Sequence, residues 1–181
     1  MNEKVWFTSD LHFNHDKEFV VQARGFETVE DMNKTIIERF NSKVAPEDIV
    51  YILGDTIMGD SAAGEELVKQ LNGHKFFLLG NHDSRPREEI YNKYGVEVTY
   101  AKVIKLKKKS FYLSHYPTIT ANYDEPHPII NLFGHTHQTT NFYNDNINMY
   151  HVGVDSHDCY PVSIDEILED IKKEKEKVDV L

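Results

Sequence analysis

The sequence has one cysteine, no apolar run long enough to cross a membrane, and fewer basic than acidic residues. Because Cys159 is alone, an internal disulfide framework and a cysteine-rich zinc cluster are excluded, and we expect a cytoplasmic protein. The opening "MNEKVWFTSD" lacks the longer apolar stretch of a signal peptide, and no segment approaches the ~18 apolar residues of a membrane helix. We therefore expect no membrane association, and nitrogen and oxygen ligands for any bound metal.

Positive charge is scarce: 20 Lys and Arg residues accompany 30 Asp and Glu residues, for a formal net charge of -10. This balance argues against extended nucleic-acid binding, which depends on many contacts between basic side chains and phosphates. It also counts against a nuclease that acts on long polymers. The one basic run, Lys107 to Lys109, lies between "KVIKL" and "SFYL", and we interpret it as a solvated hairpin turn.

Length and composition, 181 residues with 40% hydrophobic content, predict a single domain over residues 1–181, with an end that frays after about residue 173. Short β-rich runs alternate with helical patterns, which indicates an α/β fold. The predicted strands are Val5–Ser9, Ile49–Leu53, Lys75–Leu79, Ser110–Ser114 and Ile129–Phe133.

Helical spacing of apolar residues predicts three helices between or after these strands. The first covers Val29–Val44, preceded by Thr28 as a cap, and a shorter one covers Glu65–Leu71. The last begins at Ser163, which forms a capping box with Glu166.

Polar residues with metal-binding side chains follow all five predicted strands. In open α/β sheets the carboxyl ends of the strands form the crevice where ligands bind, so distant residues can converge there. Glycines precede several of these residues and fit tight turns. The candidates are Asp10, His12, Asp55, Asn81, His82, His115, His135 and His137.

The residue types in this set point to a particular class of metal. Imidazole and carboxylate ligands suit Mn, Fe, Co, Ni or Zn better than Ca or Mg, which prefer oxygen. Since the donors are too many for one ion, we predict two ions bridged by a carboxylate. A single loop histidine is usually not a ligand, and we assign no role to the remaining candidates His74, His127, His151 and His157.

The motifs "DLH", "GD", "GNHD", "HYP" and "GHTH" occur in this order between residues 10 and 137. This set resembles that of the calcineurin-like metallophosphoesterase superfamily, and the chain is similar in size to compact bacterial or phage-type members. The resemblance implies a four-layer α/β/β/α sandwich of two mixed sheets flanked by helices.

The resemblance also implies roles for individual residues. Asp10, His12 and His137 would hold one divalent ion together with Asp55, which is shared. The second ion would be held by Asp55, Asn81, His115 and His135. The ions, with Mn favoured over Fe, Ni, Co or Zn, would neutralise a phosphoester and activate a water whose hydroxide attacks phosphorus. His82 would protonate the leaving group or steady the phosphate.

One position departs from the family pattern. Many members carry "GDxxD", in which the second Asp orients the catalytic histidine, whereas this chain has Met58 in "GDTIM". Asp83 or Asp60 could take over this function for His82. Alternatively, Asp83 caps a helix that begins near Arg87.

Residues beside the metal motifs are candidates for substrate binding. Asn81 and His15 could hydrogen-bond a phosphate, and Arg24 could bind a second charge; an ordinary polar loop explains the last two equally well. The weakly periodic segment Phe13–Thr28 is a candidate specificity loop. A second loop carries Tyr116 and Tyr123, which could stack on a base or simply pack.

We therefore expect an enzyme that hydrolyses a small phosphodiester or phosphomonoester, such as a nucleotide derivative. The alternative is a scaffold of the same fold that has lost its chemistry. Such relatives lose the catalytic histidine or some ligands, and here all the expected positions are filled, which favours catalysis. The oligomeric state is not predicted.

Overall fold

The structure is a computed structural model that describes residues 3–120 and 126–178, except for the side chain of Val178. In chain order its elements are β1 (Val5–Thr8), α1 (Glu18–Ala23), α2 (Val29–Lys43), β2 (Ile49–Leu53), α3 (Ser61–Val68), β3 (His74–Leu78), α4 (Arg85–Tyr94), β4 (Gly95–Thr99), β5 (Ala101–Leu106), β6 (Lys109–Ser114), β7 (Ile130–Phe133), β8 (Phe142–Tyr143), β9 (Asn146–His151), a 3-10 turn (Val154–Ser156), β10 (Val162–Ser163) and α5 (Ile164–Val178).

The strands form two five-stranded mixed sheets. The first has the order β10-β1-β2-β3-β4, in which β1 to β4 run parallel and β10 pairs antiparallel with β1. The second has the order β5-β6-β7-β9-β8, with β6, β7 and β9 parallel between two antiparallel edge strands. The predicted pair of mixed sheets with flanking helices is confirmed.

One core fills the space between the sheets, and another lies under the helices. Apolar side chains of both sheets meet in the first core, together with Ile164, Ile167 and Ile171 of α5. The second core joins the other face of the first sheet to α2, through Met32 and Ile36 among others. Because β2 is buried on both faces, its sequence "IVYIL" shows no polar alternation.

Local signals at the helix starts behave as predicted. The Thr28 hydroxyl accepts a hydrogen bond from the Asp31 backbone N–H at 3.1 Å. Ser163 and Glu166 form a reciprocal capping box, in which each backbone N–H donates to the other's side chain. The basic run is also a hairpin turn, because Lys107 and Lys108 adopt positive φ between the antiparallel strands β5 and β6.

Several elements differ from the prediction. The segment Phe13–Thr28 contains the six-residue helix α1, which is too short to show clear periodicity. α3 begins at Ser61 rather than Glu65, because Asp60 caps it by accepting from the Ala63 N–H. α5 continues to Val178, through residues predicted to fray. β8 and β10 have two residues each and give no strand pattern.

Within the described residues, none of the helices combines the length and apolar character that crossing a membrane requires.

Candidate metal centre

The carboxyl ends of β1, β2, β3, β6 and β7 meet at one edge of the two packed sheets. The loops that follow carry all seven predicted metal ligands, and their side chains converge there. The parallel pairing of β1, β2 and β3 aligns the first three loops. The Gly134 N–H, which donates to the His115 carbonyl at 3.0 Å, joins the two loops of the second sheet.

One group of donors lies at the end of β1. Asp10, His12 and His137 offer ligand atoms that all lie within 4.8 Å of one another. His12 Nε2 is 3.7 Å from Asp10 Oδ1, and His137 Nε2 is 3.8 Å from the same oxygen. Three donors from two loops therefore face a single point.

A second group lies beside the first. Asp10, Asp55 and His115 also offer atoms within 4.8 Å of one another. The Asn81 amide oxygen is 3.0 Å from His115 Nε2 and 2.8 Å from His135 Nδ1, which adds two more donors.

Asp55 lies between the two groups. Its Oδ2 is 3.7 Å from His12 Nε2 in the first group and 3.4 Å from His115 Nε2 in the second. Its other oxygen, Oδ1, accepts the backbone N–H of His82 at 3.0 Å. A carboxylate in this position has one oxygen fixed by the backbone and one facing both groups.

Two atoms of the candidate ligands are buried without the hydrogen-bond partner that such atoms normally have. Asp10 Oδ1 and His12 Nε2 are inaccessible to solvent and have no hydrogen-bond partner in the described part of the chain. Buried polar atoms in folded proteins are nearly always hydrogen-bonded, because an unmet buried group costs about 1–3 kcal/mol. The pair fits a cation between them, and the donor set of imidazole, carboxylate and amide matches a borderline divalent metal.

The pKa shifts within the cluster also favour a bound cation. Burial alone would raise the pKa values of Asp10 and Asp55, but contacts with the neighbouring imidazoles outweigh burial and lower both. For His12 and His115, burial favours the neutral form, yet the carboxylates prevail and raise both pKa values. The carboxylates thus stay anionic in a buried site, where a positive charge stabilises them.

The backbone at the predicted ligands is strained. Asp10, His12, Asp55, His135 and His137 all have positive φ, between 49° and 67°. This left-handed region costs a residue other than glycine roughly 1 kcal/mol or more. Five such residues gathered in one place indicate that the loops are held in the conformation that the cluster requires.

Glycines allow the loops to approach each other closely. A Cβ added at Gly80 would lie 2.2 Å from Asp55 Oδ1, and one at Gly134 would lie 2.3 Å from Asp10 Oδ2. Both distances are far below van der Waals contact. Each glycine therefore leaves room for one of the two central carboxylates.

Hydrogen bonds orient the imidazole rings. His115 donates from Nδ1 to the Leu53 carbonyl at 2.8 Å, and His137 donates from Nδ1 to Asp155 Oδ2 at 2.9 Å. His12 Nδ1 contacts His15 Nδ1 at 2.8 Å. In each case Nδ1 is occupied, and Nε2 faces the cluster, as is usual for metal-binding histidines.

His82 lies at the rim of the cluster and is exposed. Its ring is 5.9 Å from the His12 ring, centroid to centroid, at an interplanar angle of 72°. Its backbone N–H binds Asp55, as described above, so the residue is anchored through its main chain.

The two carboxylates suggested as supports for the His82 ring make other contacts. Asp83 Oδ2 accepts the backbone N–H groups of Asp55 at 2.9 Å and Gly80 at 2.8 Å, and its Oδ1 accepts the Tyr91 hydroxyl at 2.6 Å. Asp83 therefore braces the β2 and β3 loops and does not cap α4, whose N-cap is Ser84.

Asp60 is the N-cap of α3, so it is committed as well. Met58 contacts the Arg87 guanidinium through sulfur at 3.9 Å. Among the described residues, no side chain hydrogen-bonds the His82 ring. The contact that the second Asp of "GDxxD" would make is therefore not replaced here, where Met58 occupies that position.

Of the predicted substrate-binding residues, Asn81 lies within the cluster and His15 stacks beside His12, with ring centroids 5.0 Å apart. Burial lowers the pKa of His15 to about 4, and the positive charge of His12 acts in the same direction, so its ring is neutral near pH 7. Tyr116 lies at the opposite rim, where its ring centroid is 4.5 Å from that of His135. Tyr123 lies outside the described residues.

Arg24 does not have the environment that we predicted. Its side chain is only 3% exposed and pairs with Asp155, through Nε at 2.9 Å and Nη2 at 3.0 Å. Nη2 also donates to the Asp10 carbonyl at 2.8 Å, and Nη1 donates to the Leu11 carbonyl at 3.3 Å. These contacts occupy the guanidinium, so the structure does not support a clamp on a second substrate charge.

Two further residues, Asp155 and His151, lie near the cluster and were not predicted to do so. Asp155 binds both His137 and Arg24, which together outweigh burial and lower its pKa. His151 is fully buried next to Asp10, and burial lowers its pKa to about 4. Both belong to β9 or the turn after it, where "HVGVD" repeats the strand, glycine and acid pattern of the other loops. That repetition was the available signal.

Comparison with known proteins confirms the resemblance drawn from the five motifs. The chain matches the calcineurin-like phosphoesterase family over residues 3–181. It is 35% identical to the Methanocaldococcus jannaschii protein MJ1445, over 95% of this chain and 93% of that relative. It is 29% identical to the gene 66 protein of Mycobacterium phage D29, over 93% of this chain and 98% of that one.

Among solved structures, a protein of unknown function from Aquifex aeolicus, AQ665, is similar in fold. The TM-score is 0.72 at 25% sequence identity, and the match covers 93% of this chain and 99% of that one.

Proposed function

The chain belongs to the calcineurin-like phosphoesterase family, and from this premise we propose that it hydrolyses a small phosphoester with the help of two divalent metal ions. The substrate is a phosphodiester or a phosphomonoester, such as a nucleotide derivative. Manganese is the first candidate metal, with Fe, Ni, Co and Zn as alternatives. A cytoplasmic location is part of the proposal and depends only on the single cysteine.

The observation that carries the proposal is the pair of adjacent donor groups that share central carboxylates. Asp10 belongs to both groups. Asp55 faces both through one oxygen. The buried, unpartnered atoms Asp10 Oδ1 and His12 Nε2 lie in the same place. This arrangement supports two ions better than one.

In this proposal Asp10, His12, His137 and Asp55 would hold the first ion, and Asp55, Asn81, His115 and His135 would hold the second. The chemistry that such ions would supply when bound is neutralisation of the phosphate oxygens and a water molecule acidic enough to act as a nucleophile near neutral pH. The chain supplies the positions of the donors, which the backbone and Asp155 fix in advance.

His82 acts on the leaving group in this scheme. Its side chain is exposed at the rim, where it can reach a substrate seated over the donors. It gives a proton to the ester oxygen as the bond to phosphorus breaks. Because no described side chain orients its ring, we expect a more mobile acid than in relatives with the second Asp. Asn81 and His15 are the proposed contacts to the phosphate.

The experiment is a panel assay on protein stripped of metal and reloaded separately with Mn, Ni, Co or Zn. p-Nitrophenyl phosphate, bis-p-nitrophenyl phosphate and 2′,3′-cyclic nucleotides report monoesterase and diesterase activity. We expect turnover with at least one ion and none after chelation. Lack of turnover with every ion would contradict the proposal and favour a non-catalytic interaction scaffold.

A further inference from the structure

A cavity of about 630 Å³ adjoins the metal centre. It shares three residues with that site, His12, His82 and His137, so a molecule in the cavity would lie next to the proposed catalytic groups. The other residues that line the cavity lie outside the five motifs. Its outer wall is helix α1, which sequence analysis had treated as part of a loop.

Six of the eleven other residues that line the cavity are apolar. α1 contributes three side chains, the loop after β2 contributes one, and the region after β9 contributes two. These apolar residues are Phe19, Val20, Ala23, Met58, Val154 and Cys159.

Phe19 is the most unusual of them, because 73% of this large side chain is exposed. It stands edge-on to His15, with ring centroids 6.1 Å apart and an interplanar angle of 83°. His15 in turn stacks on His12. A continuous row of rings thus leads from a proposed metal ligand to the mouth of the cavity.

Away from the metal centre, the described lining of the cavity offers no free basic side chain to an anionic occupant. Arg24 is the only lysine or arginine that lines it in the described part of the chain, and its donors are occupied by Asp155 and by two backbone carbonyls. Asp155 and Asp158 also line the cavity. Asp155 is paired with Arg24 and Asp158 with Arg39, so away from the metal centre a second phosphate or a carboxylate would find no free lysine or arginine in the described lining.

We propose that this cavity binds an uncharged aromatic group of the substrate, a nucleobase or an aryl ring, which stacks at Phe19 while the attached phosphate lies over the metal centre. The inference rests on the proposed function for its placement of the phosphate. It adds the chemistry of the organic group: flat, aromatic and without further negative charge. Aromatic faces bind bases with little sequence preference, so Phe19 selects the class of group rather than one base.

The first test is binding in the absence of metal, which does not depend on catalysis. Adenosine and ribose, neither of which carries a phosphate, are titrated into the metal-free protein and followed by NMR chemical-shift changes. We expect adenosine to bind and ribose not to bind. Phe19→Ala should weaken adenosine binding about tenfold, the scale of one lost stacking contact. Phe19→Trp should retain it.

The matched control is Tyr100→Ala, since Tyr100 is an equally large aromatic residue that is 72% exposed and does not line the cavity. This variant should bind adenosine as the unmodified protein does. Both alanine variants remove an exposed side chain, so neither should unfold the protein.

The second test is inhibition of the metal-loaded protein. With whichever of p-nitrophenyl phosphate and bis-p-nitrophenyl phosphate is hydrolysed, adenosine should inhibit competitively and ribose should not. The inhibition constant for adenosine should rise about tenfold in Phe19→Ala. It should not change in Tyr100→Ala.

The outcomes separate this inference from the proposed function. Selective binding of adenosine without turnover contradicts the proposed phosphoesterase activity and supports the aromatic binding site. Turnover without adenosine binding or inhibition, or with Phe19→Ala equal to the unmodified protein, overturns the aromatic site and leaves the phosphoesterase intact. The absence of both overturns both.

Discussion

Asp155 offers a sharp test of how the metal centre is supported, through the substitution Asp155→Asn. In the structure, Asp155 Oδ1 accepts from Arg24 Nε, and Oδ2 accepts from Arg24 Nη2 and His137 Nδ1. An asparagine has only one accepting oxygen. Whichever way its amide is turned, the NH2 group faces at least one donor, and the negative charge that balances Arg24 is lost.

The substitution Asp155→Asn should lower both the stability of the protein and its affinity for metal. Arg24 is 3% exposed, so the variant breaks a buried ion pair, and such losses cost about 3–5 kcal/mol when a charge is left without its partner. Because the amide keeps at least one hydrogen bond, we expect the free energy of unfolding to fall by about 2–3 kcal/mol. The ring of His137 also loses its orienting anion, which should weaken metal binding by about 10–100-fold.

The assays are urea unfolding of the metal-free protein and competition with a chelator for the bound metal. The control is Asp158→Asn, a change in an acidic residue of the same cavity whose side chain is 79% exposed and pairs with Arg39. That variant should lose less than about 1 kcal/mol and bind metal normally. If Asp155→Asn were as stable as this control and retained full metal affinity, the proposed support of His137 would be refuted.

Other predictions concern catalysis, pH and packing. The variant His82→Ala should retain its metal ions, but its turnover should fall by about 10²–10⁴-fold, because the substitution removes only a proton donor. Loss of the ions, or full activity, would contradict the proposed role of His82. Neighbouring carboxylates raise the pKa values of His12 and His115, so a metal ion must displace protons from these rings. The apparent affinity for metal should therefore fall from pH 8 to pH 6, by up to about tenfold per pH unit for each proton. Calorimetry in two buffers should detect the release of these protons on metal binding. A pH-independent affinity would contradict this. Gly80→Ala would place Cβ 2.2 Å from Asp55 Oδ1, so chelator competition should show weaker metal binding. Unchanged affinity would contradict the close approach of these two loops.

The longer strands and the convergence of the candidate metal-binding residues could be predicted because each has a strong local cause. Strands that are buried on both faces consist of consecutive apolar residues, and the candidate metal-binding residues come directly after the end of each strand. β2 was predicted with the bounds that the structure shows. The caps at Thr28 and Ser163 likewise depend on residues only three positions apart.

The features that could not be predicted depend on contacts between residues that are distant in sequence. Arg24 and Asp155 are 131 positions apart, and nothing near Arg24 in sequence shows that its charge is already neutralised. α1 is a six-residue helix held by tertiary packing of Val20 and Val21, so its periodicity is too short to read. The hydrogen bonds of Asp83 could not be predicted for the same reason, because its partners Asp55 and Tyr91 belong to other segments of the chain.

The most direct test of the account is the number of metal ions bound per chain. Elemental analysis of protein reloaded with Mn and freed of excess ion, together with anomalous diffraction, should show two ions, one beside His12 and His137 and the other beside His115 and His135. Asp55→Asn should reduce the number or the affinity of both, because Asp55 faces both donor groups. A single ion at saturation, no retained ion, or two ions that do not depend on Asp55 would contradict the dinuclear centre.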